Sequence, residues 1–158
     1  MDDGVFLVNP IREIKKSKQE KADSPEPDPY SKDERDALLN WLETQNTIAW
    51  RYFLMGFYMG MRTGELLGAS WANYRPPLLV VDQEMVRRDI RRYTKTRART
   101  VPVPQIVQNM LTDSPTRFQK GLIHLTPEGR MFRDADWLMK WWKRAHEATG
   151  TRRRVKHC

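Results

Sequence analysis

Arg62 closes a long apolar run and stands three residues before Glu65, in the stretch GMRTGELLGASW (60–71). The residues leading into it, Ile48-Ala49-Trp50, Tyr52-Phe53-Leu54-Met55 and Phe57-Tyr58-Met59, are those of a buried segment. A guanidinium is costly in such surroundings unless it is paired. One helical turn brings positions i and i+3 together, so Glu65 can supply the partner. Taken alone, the pattern favours a structural ion pair, which is the commoner case. The sharper reading is that Glu65 orients a planar fork able to meet two phosphate oxygens at once.

Two further stretches carry reactive groups. Lys95 lies between Thr94 and Thr96, close to Arg87, Arg88, Arg91, Arg92, Arg97 and Arg99. These seven cations face only Glu84 and Asp89. The bland reading is a solvated basic hairpin; the functional one is a patch that follows a DNA backbone, with a lysine placed to give a proton to a leaving oxygen. The last residues, TRRRVKHC, bring Arg152, Arg153, Arg154, Lys156 and His157 together directly after a tryptophan-rich segment. Alone, they read as a frayed basic tail.

Elements that could position these residues follow from local signals. Residues 1–29 form a linker, because KKSKQEKADSPEPDP (15–29) is charged, proline-rich at its end and almost free of apolar side chains. A domain spans 30–158. Ser31 and Glu34 make a capping box for a helix carrying Leu38, Leu39, Trp41 and Leu42. A second helix over about 47–60 is apolar on nearly every side except at Arg51, and is therefore central. Thr63 is placed to cap a short third helix ending near Leu67. The runs 78–81, 85–93 and 99–104 predict a small three-stranded antiparallel sheet, with 94–98 as a hairpin turn and Pro102 and Pro104 on an edge. Helical pattern returns at 104–111. GLIHL (121–125) suits a strand closed by a TPEG turn, and a last helix starts near Asp134 or Asp136 and stops at Gly150. The fold class expected is α+β, mainly helical.

Bulk properties narrow the functions. The 158 residues hold 28 Lys+Arg against 20 Asp+Glu, a net charge of +8. That excess favours polyanionic partners, nucleic acid before anionic membrane. No apolar run approaches a membrane span, and residues 1–10 lack the features of a signal peptide. A single cysteine, Cys158, rules out an internal disulfide framework and fits a reducing, cytoplasmic setting. Three histidines and one thiol argue against a metal cluster. The tryptophans fall mostly in helical patterns, where core packing is the default.

Together, the three stretches resemble the tyrosine recombinases, the phage-integrase family. GMRTGELLGASW is similar to that family's first motif, an arginine followed three residues later by glutamate, then leucines and a tryptophan. TKTRARTVPVP resembles the hairpin bearing the family's lysine, although the span from Lys95 to Arg99 is shorter than that hairpin usually has. KHC resembles the start of a His-x-x-Arg motif, and Asn9-Pro10 with SKDERDALL resembles the approach to the catalytic domain. The resemblance implies a catalytic domain incomplete at its C-terminus. Tyr30, Tyr52, Tyr58, Tyr74 and Tyr93 all precede the His-x-x-Arg position, so none matches the family's nucleophile.

The resemblance also implies the chemistry. A tyrosine attacks the scissile phosphate of duplex DNA and forms a 3′-phosphotyrosyl link, without metal or nucleotide cofactor. Arg62 would neutralise charge on the non-bridging oxygens, Lys95 would protonate the departing 5′ oxygen, His157 would assist proton transfer, and Glu65 would hold Arg62. Arg87, Arg88, Arg91, Arg92, Arg97, Arg99, Arg152, Arg153 and Arg154 are the candidate DNA contacts. Active recombinases of this type assemble as homo-oligomers on DNA. The chain alone is expected to bind DNA without cleaving it, with no membrane or small-molecule partner. The rival readings are a non-catalytic DNA-binding module derived from a recombinase, and a basic helical protein–protein adaptor.

Overall fold

A computed structural model describes residues 28–93 and 97–154. Helix α1 (Lys32–Gln45) begins with the expected capping box: Ser31 Oγ accepts the Glu34 N–H, and Glu34 Oε2 accepts the Ser31 N–H at 2.8 Å. Asn46 ends α1 and at once starts α2 (Thr47–Met59), its Oδ1 accepting from Ala49 N at 2.9 Å. Helix α2 is the centre of the molecule, burying Ala49, Tyr52, Phe53, Leu54, Met55 and Met59. Helix α5 (Asp136–Thr149) packs across it, and Phe53 stacks on Trp142 with ring centroids 4.4 Å apart. Gly150, at φ 67, terminates α5 as expected. Helices α3 (Thr63–Gly68) and α4 (Gln105–Thr112) complete the helical set.

The sheet region differs from the expected pairing. Strands β1 (Tyr74–Arg75), β2 (Leu78–Val81) and β5 (Arg99–Pro102) form an antiparallel three-stranded sheet in the order β1-β2-β5. The expected single strand over 85–93 is instead broken in the middle. Strands β3 (Gln83–Val86) and β4 (Asp89–Arg92) fold into a hairpin of their own, so β4 does not pair with β5 across 94–98. Residues 94–96, with Lys95, lie outside the described residues. Pro102 does occupy an edge strand. The 121–125 segment is not a strand; it makes a single bridge, Ser70 to Leu122.

That segment buries His124, which is 3% exposed and lies 5.6 Å from the Tyr52 ring. Burial, with the nearby Arg51 charge second, holds its pKa down to about 4. Burial also lowers His146, 5% exposed. An unfolded chain takes up these protons near pH 6.5, whereas the folded chain resists them. Stability is therefore full above that pH and falls as pH drops toward 4. His124 accounts for roughly 3 kcal/mol of this loss. The lowered carboxylates Glu34 and Glu65 act only below their unfolded value of 4.5. Urea titrations between pH 6.5 and 4.5 should thus show a slope that His124→Gln largely removes.

Candidate functional site

Gly60 ends α2 in the left-handed region at φ 59, a conformation that costs glycine nothing. The turn it permits carries the chain out of the apolar core, and Arg62, not Thr63, becomes the N-cap of α3. Arginine has no acceptor with which to cap a helix. The cap is therefore one-sided: Glu65 Oε2 accepts the Arg62 backbone N–H at 2.9 Å. The side-chain pair read from the spacing survives only as a long contact, with Arg62 Nη1 3.7 Å from Glu65 Oε1 and the Arg62 side chain 63% exposed.

Glu65 is itself wholly buried, and its counter-ion comes from elsewhere in the chain. Arg99 on β5 binds it through two parallel bonds, Nη1 to Oε1 at 2.6 Å and Nη2 to Oε2 at 2.7 Å. The Arg99 bonds hold the Glu65 carboxyl below its usual range, and the same bonds raise the Arg99 pKa. Arg99 thus neutralises the buried Glu65 while its side chain stays 42% exposed. Tyr93 joins the cluster, its hydroxyl 3.0 Å from Glu84 Oε2 and 3.3 Å from Glu65 Oε1. Burial, reinforced by the two carboxylates, pushes that hydroxyl up to about 12. Tyr93 therefore holds its proton more firmly than an ordinary tyrosine.

Helix α3 reaches this hub because it lies directly against β3. A Cβ at Gly64 would come within 3.0 Å of the Met85 carbonyl oxygen, and one at Gly68 within 3.1 Å of the Glu84 backbone. Gln83 Nε2 donates to the Gly68 carbonyl at 2.7 Å, fixing the register between helix and strand.

The β3–β4 hairpin projects from this contact and carries exposed cations. Its two turn residues, Arg87 and Arg88, have φ of 49 and 74. Two consecutive left-handed residues suit the twist of a two-residue hairpin, but asparagine and glycine are the residues that adopt them readily. Arg91, Arg92 and Arg97 are also exposed, with Arg97 stacked 4.8 Å from the Tyr93 ring centroid. Replacing Arg87-Arg88 by Asn-Gly should raise stability by about 1–2 kcal/mol by relieving this strain. Urea denaturation of the variant checks the sign.

The C-terminal arginines lie elsewhere and are not all free. Arg154 is only 15% exposed; it meets Glu34 Oε1 at 2.9 Å and Asp28 Oδ1 at 3.0 Å and stacks on the Tyr30 ring. Arg152 also pairs with Asp28, whereas Arg153 is exposed. The expected basic tail is therefore pinned to the start of α1, at least through Arg154. An apolar cavity of about 140 Å³, lined by Met61, Leu66, Phe57, Trp142 and Arg154, brings this segment beside the residue preceding Arg62. His157 lies outside the described residues. Among those residues, no group of three or more His, Cys, Asp or Glu is placed to hold a metal ion, and no helix is long and apolar enough to cross a membrane.

Among the described residues, five α-helices with α2 at their centre and a small antiparallel sheet beside them, Arg62 emerging at the α2–α3 corner, make the fold of the tyrosine recombinase catalytic domain. The chain matches XerA recombinase with a TM-score of 0.62 at 14% identity, covering 82% of this chain and 46% of that one. It matches the Tn1549 transposon integrase in complex with transposon right-end DNA at 0.65 and 14%, over 85% and 49% of the two chains. A lambda integrase tetramer bound to a Holliday junction gives 0.60 and 14%, over 82% and 38%. The chain thus spans half or less of the length of these proteins. No family model matches it. No curated protein matches it in sequence.

Proposed function

We propose that this chain is the first part of a recombinase catalytic domain that acts on duplex DNA through a phosphotyrosyl intermediate. The observation that carries the reading is the state of Arg62. It is held by its backbone on a carboxylate already neutralised by Arg99, and its own guanidinium faces solvent. A cation so placed is available for a phosphate, where it offsets charge building on the non-bridging oxygens. A tyrosine oxygen would bond to phosphorus as the P–O5′ bond breaks. Lys95 would give the leaving 5′ oxygen its proton, and His157 would assist proton transfer at the phosphate. The nucleophile is none of the five tyrosines of this chain, and Tyr93 in particular is held protonated. DNA binding by the hairpin, cleavage by a polypeptide that also carries the tyrosine, and oligomeric assembly on DNA all belong to this reading.

Duplex binding is the direct test. If Arg87, Arg88, Arg91, Arg92 and Arg97 contact phosphates, log K should fall with log salt at a slope of about −4 to −5. Alanine at Arg87 and Arg88 together should reduce that slope by about 2. Negligible affinity at low salt would point instead to the protein–protein adaptor. The chain alone should give no covalent DNA adduct; one would overturn the assignment of the nucleophile.

A further inference from the structure

Helix α2 carries one charged residue, Arg51, and the Arg62 site makes no use of it. Arg51 lines a cavity of about 220 Å³ between α2, the segment after α4 and the 123–129 turn. None of Arg62, Glu65 or Arg99 lines this cavity. Its Nε is buried without a hydrogen-bond partner among the described residues, and so is Nε2 of His124, which lines the same cavity. Two buried polar atoms left open at one cavity are unusual, because each such group ordinarily finds a partner; Arg51 Nε is a donor, and so is His124 Nε2 in the tautomer that carries its proton there. The hydroxyls nearby are already committed. Thr116 Oγ1 donates to the Ile123 carbonyl at 3.0 Å, and Ser114 Oγ lies 3.0 Å from it. No carboxylate lines the cavity, whereas Ile48, Ile123 and Leu125 supply apolar walls. Asp113 acts on Arg51 electrostatically without lining it.

The geometry points to a binding site for a small organic carboxylate, whose oxygens meet Arg51 and His124 Nε2–H while a short hydrocarbon body lies against Ile48 and Leu125. A guanidinium and a neutral imidazole both donate to a carboxylate, and burial strengthens each bond. His124 is uncharged at pH 7, so the site offers one positive charge and suits a monoanion. The cavity is below the size of most drug-like ligand sites, which limits the ligand to a few carbon atoms. Tyr52 packs on His124 and also lines the apolar cavity beside Met61, so occupancy here would reach the wall of the Arg62 corner.

The test is a titration of the whole chain at pH 7 with acetate, propionate and butyrate, and with inorganic phosphate in parallel. Imidazole resonances of His124 and the thermal midpoint are followed together. Butyrate should shift the resonances saturably and raise the midpoint, with affinity rising about fourfold per added methylene. Arg51→Met should abolish both effects, and Arg62→Ala should leave both intact. Arg51→Lys keeps the charge but loses Nε, and should weaken binding at least tenfold even if the Met variant folds poorly. Three results would each overturn the proposal: a linear drift without saturation, an equal response in Arg51→Met, or phosphate binding as tightly as butyrate.

Discussion

On the proposed function, Arg62→Ala should leave duplex binding within about threefold of the parent while lowering strand cleavage by about 10³-fold in a polypeptide that also carries the nucleophilic tyrosine. The asymmetry follows from where Arg62 sits. Its guanidinium is mostly in solvent and holds no part of the core, so the substitution removes a cation without opening a cavity. The backbone N–H that Glu65 accepts is retained by alanine. A suicide substrate that traps the phosphotyrosyl adduct reads cleavage, and fluorescence anisotropy reads binding. Arg62→Lys should recover only part of the rate, because an ammonium cannot meet two oxygens with a planar fork. Equal losses of binding and cleavage would make Arg62 a simple DNA contact and favour the non-catalytic module.

Arg99→Ala is expected to destabilise the fold by about 3 kcal/mol, the low end of the range for breaking a buried ion pair. Glu65 is 0% exposed and would be left charged with the Arg62 N–H, Tyr93 and the long Arg62 guanidinium contact to hold it. The low end applies because the Arg99 side chain is 42% exposed, so water can reach the vacated space. The double variant Glu65→Gln with Arg99→Met should regain most of the loss, since it removes both charges together. Urea denaturation of Glu65→Gln, Arg99→Met and the double completes the cycle. Cleavage should remain low in the double variant even where stability returns, because Arg62 then lacks a charged anchor. Full recovery of cleavage would separate Glu65 from the positioning of Arg62.

The helical half of this architecture is written in local sequence. The Ser31 capping box, the apolar run of α2 and the glycine after α5 each act over a few residues, and each appears where the spacing places it. The sheet is less legible because its break depends on a turn disguised by its residues. Arginines at 87 and 88 do not announce a left-handed pair as Asn-Gly would. The site was half legible for a related reason. Spacing joins Glu65 to Arg62 three positions away, but Glu65 is neutralised by Arg99, 34 positions on, through strand pairing that no periodicity reveals. The place of Tyr93 beside Glu65 is hidden for the same reason, and His124 looked like one polar residue in a strand.

The close seating of α3 on β3 has a mechanical side. Glycines at 64 and 68 leave helix and strand in backbone contact, with no layer of rotatable side chains between them. Such a junction has little slack, since main-chain atoms in direct contact, with the Gln83 side chain bonded to the Gly68 carbonyl at 2.7 Å, yield far less than a layer of flexible side chains. On the proposed function, a tug on the arginine-tipped hairpin by a bending duplex would travel along β3 to the helix capped by Arg62, much as a lever moves its fulcrum block.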